Sequence, residues 1–288
     1  MSDTGRRETP FKQVDVFTSV PFKGNPVAVV LDGDALTSRQ MRAIANWTNL
    51  SETTFVCTPT HPDADYLLRI FTPRTELPFA GHPTIGSAKA VLEHGVVPRT
   101  PGVLVQECAK GLVTVRIEDD ALFFALPEPS FSLLSAEDVA AACAALGIPT
   151  TWVGAGAIVD VGAVWTTLQL PSADTVLGLE PDMPAIARLG SHAIGITVFG
   201  LYAEGAPTAL EVRSFAPADG VPEDPVCGSG NGCVAAMVQR HGLITGAGYV
   251  ASQGRRLGRD GRIEVRFAED TIWVGGSAVT CIEGALIA

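Results

Sequence analysis

No two of the six cysteines (Cys57, Cys108, Cys143, Cys227, Cys233, Cys281) form a C-x-x-C pair, and they are scattered through 288 residues. That excludes a disulfide framework and a thiolate zinc centre, and it fits free thiols in a reducing cytoplasm. The five histidines lack H-x-x-x-H spacing, so no metal is expected. No apolar run approaches the roughly 20 residues that span a bilayer. The opening M-S-D-T-G-R-R-E-T-P lacks the apolar core of a signal peptide, so no membrane is expected as a partner. Charged residues are scarce at 18%, and the balance is a net −11, which argues against nucleic acid. A small anionic substrate remains possible, because helix N-termini hold carboxylates without Lys or Arg.

Apolar residues make up 47% of the chain, enough for a real interior, and the length suits two domains better than one core. One stretch is written twice. Residues 81–111 return 147 positions later, so that Gly81 matches Gly228, Ala88 matches Ala235, and His94-Gly95 match His241-Gly242. Gln106 matches Gln253 and Gly111 matches Gly258 at the same spacing, and F-T-P (71–73) is echoed by F-A-P (215–217). A repeat of this length points to two similar domains and not to a solenoid. Facing each other, they would bring two helix N-termini to one cleft.

Periodicity predicts strands over 14–19, 26–31, 53–58 and 66–72, with a helix from Ser38 to about Asn46 capped by Thr37 or Ser38. A Gly-rich turn at 80–83 feeds a helix over Thr84–His94, stopped by Gly95. Strands over 103–106, 112–117 and 121–126 follow. The second half repeats the order: a helix over 135–146 with a Ser135–Asp138 capping box, strands over 162–170, 194–202 and 210–215, and a short helix over 184–189. A turn at 227–230 then leads to a helix over Asn231–His241, and strands cover 248–252, 262–267 and 271–275. This reads as α+β, with two pseudo-symmetric domains that each wrap a mixed, mostly antiparallel sheet around a central helix. The expected halves are 1–125, joined by the tail 277–288, and 126–276.

Three segments look costly for structure alone. In L-S-E-T-T-F-V, Glu52 is either a solvated strand-end carboxylate or a general base partly buried against Phe55, its pKa raised by desolvation. In E-L-P-F-A-G-H-P-T-I-G, His82 is either a locally packed turn residue or a donor to a substrate oxygen beside an anion-binding turn at Gly81. In V-P-E-D-P-V-C-G-S-G-N-G-C, Asp224 is either a turn carboxylate or a binding group. The Gly228-Ser229-Gly230 turn has no Walker lysine and suits a small anion better than a nucleotide. Cys227 is either a small buried hydrophobe or, at a helix N-terminus, a thiol with a lowered pKa that serves as an acid or base.

The motifs F-T-P-R-T-E-L-P-F-A-G-H-P-T-I-G, F-A-P-A-D-G-V-P-E-D-P-V-C-G-S-G, S-Q-G-R-R-L-G-R-D-G-R-I-E-V and N-L-S-E-T-T-F-V resemble the PhzF-like isomerase family of phenazine biosynthesis, over roughly residues 11–285. The resemblance implies the two-domain diaminopimelate epimerase fold and a homodimer. It also implies a cofactor-free isomerase acting on a small unsaturated or cyclic acid. Glu52 matches the glutamate that moves a proton between carbons; His82, Asp224 and Ser229 match substrate-orienting positions, and the Gly81 and Gly228 turns would offer N–H donors. One departure stands out: the family usually reads E-D-P-x-T-G-S-A, and this chain has Cys227 in place of the threonine. The repeat partner of Cys227 is Ala80, so a two-thiol epimerase is disfavoured. A racemase using Cys227 with Glu52, or a non-catalytic binder of the same fold, remain the alternatives.

Overall fold

The computed structural model describes residues 8–189 and 193–287. His192 and most of the segment read for a leader peptide lie outside them. In chain order the elements begin with β1 (Glu8–Val16), β2 (Asn25–Val30), α1 (Ser38–Thr48), β3 (Thr53–Cys57), β4 (Tyr66–Phe71) and β5 (Glu76–Leu77). Next come α2 (Gly81–Glu93), β6 (Val103–Cys108), β7 (Gly111–Glu118), β8 (Ala121–Ala125), β9 (Ser130–Ser132), α3 (Ala136–Leu146), β10 (Gly156–Asp160) and β11 (Val164–Gln169). The remainder are α4 (Ala173–Leu177), α5 (Met183–Ala187), β12 (Gly195–Leu201), β13 (Leu210–Ala216), β14 (Val221–Asp224), α6 (Gly228–His241), β15 (Gly248–Gln253), β16 (Gly261–Phe267) and β17 (Ile272–Ile287). The described residues form two compact units. Unit one draws on residues 8–22, 26–124 and 276–287, and unit two on 23–25, 125–189 and 193–275.

In unit one, β2 runs parallel to β3, β3 antiparallel to β4, β4 parallel to β6, β6 antiparallel to β7, and β7 antiparallel to β8. The parallel pair β4–β6 needs a long crossover, which α2 supplies. In unit two the succession recurs: β11–β12 parallel, β12–β13 antiparallel, β13–β15 parallel around α6, β15–β16 antiparallel, and β16 antiparallel to the start of β17. The class is α+β. An ion pair recurs with it. Arg69 on β4 grips Glu76 through two 2.8 Å hydrogen bonds, and Arg213 on β13 grips Glu223 in the same way. Each guanidinium also lies over the phenylalanine two residues on, Phe71 at 5.1 Å and Phe215 at 5.0 Å.

Local chemistry accounts for the outer helices. The Thr37 hydroxyl accepts from the Gln40 N–H, and the Gln40 side chain accepts from the Thr37 N–H. The helix α1 thereby starts with a capping box, ends at left-handed Asn49, and buries Met41 and Ala45 on Val30, Phe55 and Phe71. Ser135 and Asp138 start α3 likewise, Gly147 ends it at φ 70°, and its Ala145 and Leu146 pack on Leu168, Ile186 and Phe215. The central helices differ. Almost every residue in the first two turns of α2 and α6 is buried, which requires small side chains on all faces. A Cβ on Gly86 would sit 2.3 Å from Val27 Cγ1, and one on Gly232 would sit 2.6 Å from Leu126 Cδ1.

Several boundaries differ from the sequence reading. The helix α2 starts at Gly81 and not Thr84, and α6 starts at Gly228 and not Asn231. Glycine's poor helix propensity makes these stretches read as turns, but close packing of the helix start outweighs that cost of about 1 kcal/mol per glycine. The strand β1 begins at Glu8, not 14, because residues 8–16 find a partner in 278–287 of β17, a tail that the periodicity left without an element.

Candidate active site

Glu52 stands at the end of a four-residue connection between α1 and β3. Both ends of that connection are fixed: the Asn49 N–H bonds the Ala45 carbonyl at 3.3 Å, and the Thr48 and Thr53 hydroxyls meet at 2.7 Å. Thr54, next along β3, ties the strand to α2 through Ser87 at 2.8 Å. The same helix carries His82 in its first turn. That turn is held from the other side, where Gln106 on β6 donates to the Thr84 hydroxyl at 3.1 Å and accepts from Tyr66 at 3.0 Å. The result is a close pair. Glu52 Oε2 lies 3.1 Å from His82 Nε2, with side chains 15% and 5% exposed.

Two influences oppose each other on this imidazole. Burial pushes its pKa down to about 3, while an ionised carboxyl beside it would hold a proton on the ring. Burial prevails on the ring. The ring is therefore neutral at pH 7. A neutral imidazole can hold and orient the carboxyl without adding a cation to this dry setting.

In unit two the candidate residues share one turn. Asp224 ends β14, and its Oδ1 accepts from Asn25 Nδ2 at 2.9 Å and from the Val226 N–H at 3.0 Å. Burial pushes this carboxyl up to about 6, against the pull of the Cys227 thiol and the Val226 N–H. Gln253 clamps the turn: its Oε1 accepts from the Cys227 N–H at 3.0 Å and from Asn231 at 2.8 Å, and its Nε2 donates to the Asp224 carbonyl at 3.0 Å. Gly228, Ser229 and Gly230 form the first turn of α6, and Trp165 on β11 donates to the Ser229 hydroxyl at 3.0 Å. Gly230 is required, since a Cβ there would lie 2.5 Å from Ser214 Oγ and 2.8 Å from Thr197 Oγ1.

The sequence leaves two readings of Cys227, a small buried hydrophobe or a thiol whose pKa the helix lowers. The residue is buried and is the N-cap of α6. Burial, and after it the Asp224 carboxyl, push the thiol well above its usual value, which favours the first reading. Its sulfur accepts from the Gly230 N–H at 3.2 Å and so takes the capping role of a serine or threonine.

Unit one thus brings together Glu52, Gly81 and His82, and unit two brings together Asp224, Cys227, Gly228 and Ser229. Sequence reasoning missed Asn25, Trp165, Asn231 and the role of Gln253. Only Gln253 carried a signal, as the repeat partner of Gln106. Among the described residues no three His, Cys, Asp or Glu side chains group closely enough to hold a metal ion, and no described helix is long and apolar enough to cross a membrane.

Residues 14–284 match the family described as phenazine biosynthesis-like protein. The chain belongs to that family. A Schizosaccharomyces pombe family relative named antisense-enhancing sequence 1 is 42% identical over 96% of this chain and 98% of its own. A Pseudomonas fluorescens relative, named trans-2,3-dihydro-3-hydroxyanthranilate isomerase, is 36% identical over 95% of this chain and 98% of its own. A crystal structure of a PhzF-family protein from Bacillus anthracis has the same fold, with a TM-score of 0.85 at 22% identity over 98% of this chain and 100% of the other. The chain is an isomerase of the PhzF type.

Proposed function

We propose that the protein moves a proton within a small cyclic or unsaturated carboxylic acid, without a cofactor, and that Glu52 carries the proton. The observation that supports this most is the Glu52–His82 couple: a carboxyl oxygen and a neutral imidazole nitrogen 3.1 Å apart and almost out of water. A carboxyl held there can accept a hydrogen from carbon and return it before solvent exchanges it. His82 orients the carboxyl and substrate oxygen, while Asp224, Ser229 and the N–H groups of the Gly81 and Gly228 turns hold polar groups of the acid. The racemase alternative needs Cys227 as an acid or base. A thiol held well above its usual pKa and already capping α6 is better suited to positioning. Six unpaired cysteines fit a reducing cytoplasmic setting.

The substrate printed in the Pseudomonas relative's name is the first compound to try. Incubated in deuterium oxide, wild type should isomerise it with the migrating hydrogen largely retained, and Glu52→Gln should lose roughly 10²–10⁴ in rate. Cys227→Ser, which keeps a capping acceptor, should stay within a few-fold of wild type. Wild-type turnover by Glu52→Gln ends the proposal, and loss of turnover in Cys227→Ser alone favours the racemase reading.

A further inference from the structure

Ser229 has a neighbour whose chemistry constrains it. The Trp165 side chain is buried, and its indole nitrogen lies 3.0 Å from Ser229 Oγ. An indole N–H only donates, so the serine oxygen must accept there. The single hydroxyl hydrogen has to go elsewhere. The other contact of this hydroxyl is Cys227 Sγ at 3.6 Å, a weak acceptor that already takes the Gly230 N–H. If instead the thiol donates across that contact, the serine hydrogen is still left to give. In either arrangement one lone pair is used and the hydrogen is cheaply redirected.

The seat of the indole is built for it. Trp165 lies opposite Gly195 in the parallel β11–β12 pair, and a Cβ on residue 195 would meet the ring at 3.0 Å and the Phe215 carbonyl at 2.0 Å. A phenylalanine would fill that seat as well. What tryptophan adds is the N–H and the direction it imposes on Ser229.

We infer that Trp165 is a positioning residue that turns Ser229 into a hydrogen-bond donor for an acceptor oxygen of the bound acid, its carboxylate or a carbonyl, and against a ligand ammonium. This rests on the functional reading above and deepens it, since it states what the Ser229 subsite recognises. A hydrogen parked on sulfur loses little when it swings to a carboxylate, where the bond is charge-assisted.

The test uses protein labelled with 15N-tryptophan, in which Trp165→Phe identifies the Trp165 indole signal among the four tryptophans. In ligand-free protein, Ser229→Ala should shift that signal. Calorimetry with 3-hydroxyanthranilate should then show Ser229→Ala weakening binding about tenfold and Trp165→Phe about fivefold, with the double variant no weaker than Ser229→Ala alone. Neither substitution should change the affinity of 2-aminophenol, which lacks the carboxylate. An unmoved indole signal, additive losses, or equal losses for 2-aminophenol would each overturn the inference. If wild type binds neither compound, the functional reading fails, and titration with sodium formate decides this one: formate must shift the Trp165 signal in wild type but not in Ser229→Ala. Should Trp165→Phe not fold, the effect of Ser229→Ala on the signals and the formate titration decide between the same two outcomes.

Discussion

Arg213→Met should destabilise unit two severely, whereas Arg69→Met, at the matching pair in unit one, should be mild. Arg213 makes four hydrogen bonds. Two go to Glu223 at 2.8 Å, and two go to the Val176 and Leu179 carbonyls at 3.2 and 2.8 Å. Its side chain and that of Glu223 are 4% and 8% exposed, so methionine leaves a buried carboxylate and two carbonyls without their partner. Breaking a buried pair from one side costs about 3–5 kcal/mol. For a unit of this size that lowers the melting temperature by roughly 6–20 °C. Arg69 and Glu76 are 26% and 36% exposed, and water can replace the lost partner, which limits the cost to about 1 kcal/mol. Urea denaturation followed by circular dichroism measures both. Arg213→Met combined with Glu223→Leu should recover most of the loss, because no charge is then stranded. An Arg213→Met protein within about 1 kcal/mol of wild type, or an Arg69→Met protein equally damaged, would refute the link between burial and cost.

Asp224, held at about 6 in the fold against an ordinary value of 3.8, binds its proton more tightly folded than unfolded. Its ionisation therefore costs stability above pH 6, by about 3 kcal/mol at full effect, and the cost disappears as pH falls toward 4. Asp224→Asn should remove that dependence, and urea titrations at about pH 4.5 and 8 would reveal it; an unchanged pH profile would count against the buried placement. Gly86→Ala forces a methyl group against Val27 and should cost unit one about 1–3 kcal/mol in thermal unfolding. Gln253→Met removes three hydrogen bonds from the 224–231 turn and should cost about 2–4 kcal/mol while reducing turnover, measured by melting and by isomerase assay.

Much of the scaffold was legible because it is local. The Thr37 cap, the Ser135 capping box and the glycine that ends α6 are written within a few residues of where they act. The 147-residue repeat went further, since Gln106 and Gln253 each bond the fourth helical residue at matching positions, Thr84 and Asn231. What stayed hidden depends on distance and burial. Asn25 meets Asp224 across 199 positions, and Trp165 meets Ser229 across 64, with no periodicity to mark either. The choice between the two readings of Cys227 stayed open for the same reason: the helix end is visible in the sequence, but the dry surroundings and the neighbouring Asp224 that outweigh it are not.

The strand β17 has a temporal consequence. Its residues 278–287 lie against β1, so the first residues of the described chain are partnered by the last. On a ribosome, the amino-terminal lobe emerges early yet lacks the partner of β1 until residues 278–287 follow, while the second lobe can close first. A chain interrupted just before residue 278 would thus injure the half of the molecule farthest from the break in sequence, uncovering Phe11 and Val14 to chaperones and leaving the second lobe intact.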